Sequence, residues 1–483
     1  MSVQAVPTLS QVPVSAVSPE RFRALVGKDY ALVEKAAATA GRVLAGRTVW
    51  HINSTARGGG VAEMLQSLLA YARGVGVDVR WLTINGDPDF FRITKRLHNH
   101  LHASAGDGGD LGASEREVYE RWLLEAANEL VRLIPAGDVV YVHDPQPAGL
   151  IPHIKSTGAR VVWRCHVGVD QPNPLTRAAW DFLRPYVDEA DAYVFSRREF
   201  VWDGLETSRI WLVPPSIDAF SPKNQELDEA AVQAILNKIG LAGHDHFQNA
   251  LFAREDGSTA RVNRRAELDQ EGPIPDDAQL IVQVSRWDRL KDPAGLLRCF
   301  AEHVRNPHAH LLMAGPAVEG VTDDPEGADV LTDVRALREE LPADVRGRVH
   351  LASLPIDDLQ ENGAMVNAIQ RRAEVVVQKS LAEGFGLTVA EAMWKAKPVV
   401  ATRVGGIQDQ IVDGESGLLV DDPTDLQAVG AAINRLLDDP NRARAMGVSA
   451  RERIRASFLG TRHLAQYMEL IERMLRLDGQ RSG

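Results

Sequence analysis

The chain reads as an α/β protein with two doubly wound domains, each a parallel sheet covered by helices, and three observations predict this class. Short β-branched runs alternate with longer stretches of helical periodicity. The alternation breaks once, across residues 214–275, and then resumes. The length of 483 residues also exceeds one domain at roughly 100–200 residues each. Two such domains imply a cleft near the carboxyl ends of their strands, where sheets of this kind bind ligands.

The elements follow in order. Residues 1–46 are rich in proline, serine and valine and read as a loosely ordered, partly flexible extension. Strand-like runs then recur: VWHI at 49–52, VRWLTI at 79–84, VVYVH at 139–143, RVVW at 160–163, AYVF at 192–195 and IWLV at 210–213. Between the first two, Val61, Met64, Leu65, Leu68 and Ala72 share one face of a 3.6-residue period, which predicts a helix. These elements make a first domain over 47–213. Residues 214–275, with their Pro-Pro start and the polar segments HDHFQN and REDGSTARVNRRAE, read as a linker and insertion. A second domain over 276–460 carries LIVQVS at 280–285, HLLMAG at 310–315, RVHLA at 348–352, EVVVQ at 374–378 and KPVVAT at 397–402. Helical periodicity marks a terminal helix within 461–483.

Composition excludes several functions. With 45% hydrophobic and 25% charged residues the chain is an ordinary globular protein. A net charge of −12 without a Lys/Arg tract argues against nucleic acid and anionic membranes as partners. No apolar run approaches the ~18 residues of a membrane span, and the opening residues lack the basic start of an export signal. Cys165 and Cys299 support neither a disulfide framework nor a zinc site, which fits a reducing, cytoplasmic setting. His98, His100 and His102 would share a face only in a strand, and no acidic ligand stands at useful spacing, so no metal site is expected.

Four segments could carry chemistry. Gly58, Gly59 and Gly60 stand between a strand and a helix, where backbone amides can meet an anion; the same glycines would also serve a plain tight turn. They do not form a dinucleotide fingerprint, because Glu63 stands where the third glycine belongs. GRVLAGRT at 41–48 approximates a nucleotide P-loop but has Arg47 at the lysine position and precedes its strand, so the match is chance. In SRWDRLKD, Arg286 and Lys291 follow the strand at 280–285, where they could hold an anionic group or belong to a solvated loop. EGFGLTVAE at 383–391 gives a glycine loop, then a helix from Leu387 whose first amides can meet phosphate. Glu391, one turn inside, can accept from two neighbouring hydroxyls or be a surface charge. Gly405 and Gly406 offer a further close backbone approach or a simple turn.

The triple glycine, the R-x4-K of Arg286 and Lys291 and the E-x7-E of Glu383 and Glu391, in that order, resemble the retaining glycosyltransferases of family 4. That resemblance implies the GT-B fold, two Rossmann-like doubly wound domains facing each other across a cleft. HINSTARGGGVAEML at 51–65, VHDPQP at 142–147, WRCHV at 163–167, VPPSID at 213–218, DDPEG at 323–327 and EGFGLTVAEAMWK at 383–395 are similar to the trehalose glycosyltransferring synthase family. The related trehalose phosphorylases share several of these segments.

The resemblance implies reversible transfer of glucose, with retention, from a nucleoside diphosphate glucose (UDP, ADP or GDP) to the anomeric hydroxyl of free glucose, giving α,α-trehalose. It assigns the donor diphosphate to Arg286 and Lys291, the ribose hydroxyls to Glu391, and the transferred glucose to Glu383 and, from the facing domain, His166. Backbone amides of Gly59, Gly60, Phe385, Gly386 and Leu387 would meet phosphate or sugar oxygens, and Asn53, Asp144 and Gln146 would contact the acceptor. The acidic residue that relatives carry soon after WRCH comes here only at Asp170. The implied enzyme is a homodimer that needs no cofactor or metal beyond its donor substrate. Competing readings are a phosphorylase that splits trehalose with inorganic phosphate, a nucleotide-sugar epimerase that acts without an acceptor, and a sensor that binds donor without turnover.

Overall fold

The computed structural model describes residues 8–56, 59–243, 249–318 and 326–481, with side chains through 476. The chain divides into two compact units, Met1–Ser216 with Gly460–Gly483, and Ile217–Leu459.

In the first unit the strands are β1 (Leu9–Val12), β2 (Thr48–Asn53), β3 (Asp78–Ile84), β4 (Val139–His143), β5 (Arg160–Cys165), β6 (Ala192–Phe195) and β7 (Ile210–Leu212). They form one sheet in the order β1-β3-β2-β4-β5-β6-β7, parallel throughout except for β1. The sequence reading left the start of the chain loosely ordered; instead Leu9 to Val12 pair with Ile84 to Trp81 and seal the sheet's edge. Flanked by Pro7 and Pro13, this strand has no periodicity to detect, and it is held by ladder bonds that an edge strand can make between prolines.

Alternate side chains divide the strands between two faces. Trp50, Ile52, Val140, Val142, Val161 and Trp163 enter one core with Phe90, Ile93, Leu97, Tyr119, Leu123 and Leu183. These come from the helices Pro88–Leu101, Ala113–Leu133 and Pro174–Val187. Asp87 and Asn173 cap two of those helices by accepting from Phe90 and Thr176 N–H at 2.8 and 3.0 Å, each before a proline preset for a first turn. On the other face stand His51, Tyr141, His143 and Arg164, all buried. The ring of Tyr467, from the terminal helix Gly460–Arg481, stacks there on Tyr141 at 4.7 Å. Parallel strands covered on both faces are ordinarily near-continuous apolar runs, so this polar face is the exception in the sheet.

The histidine triplet lies on helix Pro88–Leu101 and its cap, with His98 and His102 edge to face at 4.9 Å. Among the described residues no group of three or more His, Cys, Asp or Glu is placed to hold a metal ion.

The second unit contains a hairpin of β8 (Leu251–Ala253) and β9 (Thr259–Arg261), then β10 (Glu267–Asp269), β11 (Gln279–Val284), β12 (Ala309–Pro316), β13 (Val349–Leu354), β14 (Val375–Gln378), β15 (Val399–Thr402) and β16 (Leu418–Val420). The sheet order is β10-β13-β12-β11-β14-β15-β16, with β10 alone antiparallel. Ile281, Leu311, Met313, Leu351, Val375, Val377 and Val400 pack with Leu296, Phe300, Val429 and Ile433 in its core. The polar stretch before β11 is stitched down by polar contacts: Arg254 to Asp358 at 3.2 Å, and the N–H groups of Asn263 and Arg264 to Glu361 at 2.6 and 2.8 Å. That is why its sequence lacks apolar periodicity. HDHFQN falls almost wholly outside the described residues.

Each sheet has a point where the strand order reverses: between β2 and β4 in the first, between β11 and β14 in the second. Adjacent loops there run to opposite faces and leave a crevice at the carboxyl edge, which is where open α/β sheets take ligands.

Candidate active site

At the β11/β14 switch point the loops are tied together by charge. After β11, Asp288 accepts from Leu290 N–H at 2.8 Å, folding a short turn, and also from Arg286 at 3.2 Å, which orients that guanidinium. Lys291 ends the turn with its ammonium against the carboxylate of Glu383, which enters from the loop after β14. The two loops are zipped by Leu381 N–H to Leu290 carbonyl at 2.7 Å. Glu383 is further held by Ser380, whose hydroxyl donates to it at 3.4 Å and accepts from Gln378 at 3.0 Å. Lys379, buried beneath, pairs with Asp292, a residue at φ +46° that also caps the helix Pro293–His303.

The glycine loop is shaped by close approach. Gly386 has φ +81°, and a Cβ there would stand 3.0 Å from Ile407 and 3.3 Å from Glu383 Cγ. A Cβ on Gly406 would lie 2.7 Å from Phe385 Cα. Buried Gln410 donates to the carbonyls of Phe385, Gly386 and Gly406, pinning the loop from behind. From this loop the helix Leu387–Trp394 starts, and its first N–H groups carry the positive end of the helix dipole. Glu391 lies one turn inside that helix, 1% exposed, with Lys223 at 3.7 Å. Of DDPEG, only Glu326 and Gly327 fall among the described residues, at the start of the helix Gly327–Glu339.

The first unit brings a second cluster to the β2/β4 switch point. Gly59, exposed and at φ +108°, caps the helix Gly60–Gly74, while Gly58 lies outside the described residues. Asn53 is a strut: its side-chain oxygen accepts from Trp81 at 2.7 Å and its nitrogen donates to Thr55 carbonyl at 2.6 Å. Asp144, just past β4, takes φ +65°, and its carboxylate accepts from His166 N–H at 2.7 Å. Burial pushes that carboxyl up to about 7, against the opposing pull of the His166 N–H and of Arg164. Gln146 stands partly exposed between Pro145 and Pro147. Asp170 is held by Arg197 at 2.7 Å.

His166 follows β5 with its Nε2 at 3.1 Å from His143 Nδ1, and His143 Nε2 lies 2.9 Å from His51 Nδ1. Burial holds His143 and His166 well below the usual imidazole range, so both rings are neutral. His51, His143, Ser380 and Gln410 were missed by sequence reasoning. For the histidines a signal existed: each of three neighbouring strands carries one at or near its carboxyl end.

The structure therefore gathers Arg286, Lys291, Glu383, Phe385, Gly386 and Leu387 in one unit, and Asp144 and His166 in the other. The first set joins two cations and a helix N-terminus, suited to an anionic phosphate, to a carboxylate suited to hydroxyls.

Comparison with known proteins gives the same class. Residues 358–453 match the family described as "Glycosyl transferases group 1", and residues 51–202 match "Trehalose synthase, N-terminal domain". The fold is that of an α,α-trehalose-phosphate synthase (UDP-forming) from Burkholderia vietnamiensis, with a TM-score of 0.64 at 15% identity over 89% of this chain and 100% of that one. The protein is thus a glycosyltransferase of the GT-B fold. The chain is 35% identical over 460 residues to the trehalose synthase of Pyrococcus horikoshii, covering 94% of this chain and 95% of that one. To the trehalose synthase of Rubrobacter xylanophilus it is 37% identical over 443 residues, covering 90% and 92%. It belongs to the trehalose synthase family.

Proposed function

We propose that the protein transfers glucose, with retention and reversibly, from a nucleoside diphosphate glucose to the anomeric hydroxyl of free glucose, forming α,α-trehalose. The observation that carries this reading is the pairing of Lys291 with Glu383 beside Arg286 at the β11/β14 switch point. Departure of the diphosphate leaves negative charge on the phosphate while the sugar gains oxocarbenium character. Arg286, Lys291 and the amides at the start of helix Leu387–Trp394 oppose the first charge, so the reaction as proposed calls for no metal. Glu383, already engaged by Lys291 and Ser380, is an orienting acceptor for sugar hydroxyls more than a nucleophile. The leaving phosphate then takes the acceptor's proton on the same face. Glu391 takes the ribose, with Lys223 moving off its carboxylate. His166 and Asp144 are the first unit's candidates for sugar contacts, and the working form is a cytoplasmic homodimer.

The test is incubation of the purified protein with UDP-, ADP- and GDP-glucose, with and without free glucose, with every product identified by NMR. Trehalose and free nucleotide are expected only when both substrates are present. Glucose 1-phosphate from trehalose and inorganic phosphate, with no product from any nucleotide donor, would make it a phosphorylase. Donor altered without glucose present would make it an epimerase.

A further inference from the structure

We propose that His143 and His51 are positioning residues for His166, forming a chain of three imidazoles that fixes the tautomer and orientation His166 presents to the sugar. The proposal rests on the reading that His166 meets the transferred glucose.

The three rings stand on neighbouring strands, on the polar face of the first sheet. His51 lies in β2, His143 ends β4 and His166 follows β5, with nitrogen-to-nitrogen distances of 2.9 and 3.1 Å. Consecutive rings are near-coplanar, at 23° and 15° between planes, as in-line hydrogen bonds between ring nitrogens require. All three are buried. His51 is also stacked against the parallel ring of Tyr141, its cross-strand partner in β4, at 4.8 Å. Burial disfavours the charged form of each ring, and the neighbouring Arg164 adds to that for His143 and His166.

Neutrality makes the chain directional. A neutral His143 has a single ring proton, so it donates on one side and must accept on the other. If it donates to His166, then His51 donates to it, and the remaining proton of the chain sits on His166 Nδ1. If it accepts from His166, that proton sits at the opposite end, on His51 Nε2, and His166 Nδ1 is a bare acceptor. The donor or acceptor character of His166 is therefore set two rings away, by His51, which does not touch it. Valine or isoleucine would serve packing alone at these strand positions.

The discriminating substitution is His51→Phe, which keeps a ring for stacking on Tyr141 and removes both nitrogens. His51→Asn is the conservative control, because its amide stands where Nδ1 stood and can donate or accept. Long-range 1H–15N correlation spectra of histidine-labelled protein report the tautomer of His166 directly. The wild type is expected to show one fixed tautomer and His51→Phe an averaged pair, with kcat for trehalose synthesis about tenfold lower and donor KM within about twofold, as for loss of one orienting hydrogen bond. His51→Asn should recover the fixed tautomer and most of kcat. A wild type with averaged His166 nitrogens overturns the proposal without any variant. So does a His51→Phe protein with an unchanged spectrum or unchanged kcat, or an equal loss in both variants. The spectra need no turnover, so a wild type that makes no trehalose defeats the functional reading while the tautomers still decide the chain.

Discussion

Replacing Asp144 by asparagine should make the protein more stable at pH 8 while impairing it as an enzyme. The geometry tolerates the change: φ is +65°, a region that asparagine enters readily, and the amide oxygen can keep the bond from His166 N–H. What changes is the charge. The carboxyl is raised from 3.8 to about 7, chiefly by burial, with the His166 N–H and Arg164 acting in the opposite direction. An unfolded chain releases this proton near 3.8 and the folded protein near 7, so between those values the folded state binds more protons. Stability therefore falls as pH rises through that window and levels off above it. A gap of about three pH units corresponds to about 4 kcal/mol, an upper figure that relaxation and water penetration reduce to about 2. Asparagine never carries the charge. Thermal melts should place Asp144→Asn about 4–8 °C above the wild type at pH 8, and within about 1 °C of it near pH 4. Initial rates of trehalose formation should fall in the same variant, the pattern of a residue retained for chemistry at a cost in stability. A variant less stable at pH 8, or a difference that is the same at both pH values, would refute the reasoning.

Two further outcomes are expected. Arg286→Ala and Lys291→Ala should each lower kcat by about one to two decades, and together by two to four, if each charge-assisted contact contributes roughly 1.5–3 kcal/mol at the transition state; steady-state kinetics with the preferred donor reads this, and unchanged kcat in the double variant would remove both from the phosphate. Gly386→Ala places a methyl at φ +81° and 3.3 Å from Glu383 Cγ, so melting should fall by roughly 1–2 kcal/mol in stability while turnover falls further than the folded fraction accounts for.

Legibility in the sequence followed the kind of force involved. The buried strands β2 to β6 and β11 to β15 were plain because apolar burial writes itself as runs and periods. Strand β1 and the hairpin β8–β9 were not, since they are held by backbone ladders and ion pairs that leave no periodic trace. Arg286, Lys291 and Glu383 were legible through position, each following a strand that flanks the switch point. Their supports were hidden: Gln410 acts on carbonyls of residues 385 and 386, and Ser380 only as one member of a chain from Gln378 to Glu383. The histidine triplet at 98–102 shows the converse, a period-two pattern that a helix simply overrides.

The first unit is built from both ends of the chain, Met1–Ser216 and Gly460–Gly483, with the second unit's sequence between them. During synthesis the strands that leave the ribosome first are thus the last to be completed. Until the helix Gly460–Arg481 arrives, Tyr141 lacks the ring of Tyr467 that stacks on it, while the second unit already has every residue it needs to fold. A chain stopped short of residue 460 would carry every residue of the second unit and a first unit without Tyr467, so loss of this helix would be felt first beside the histidine chain.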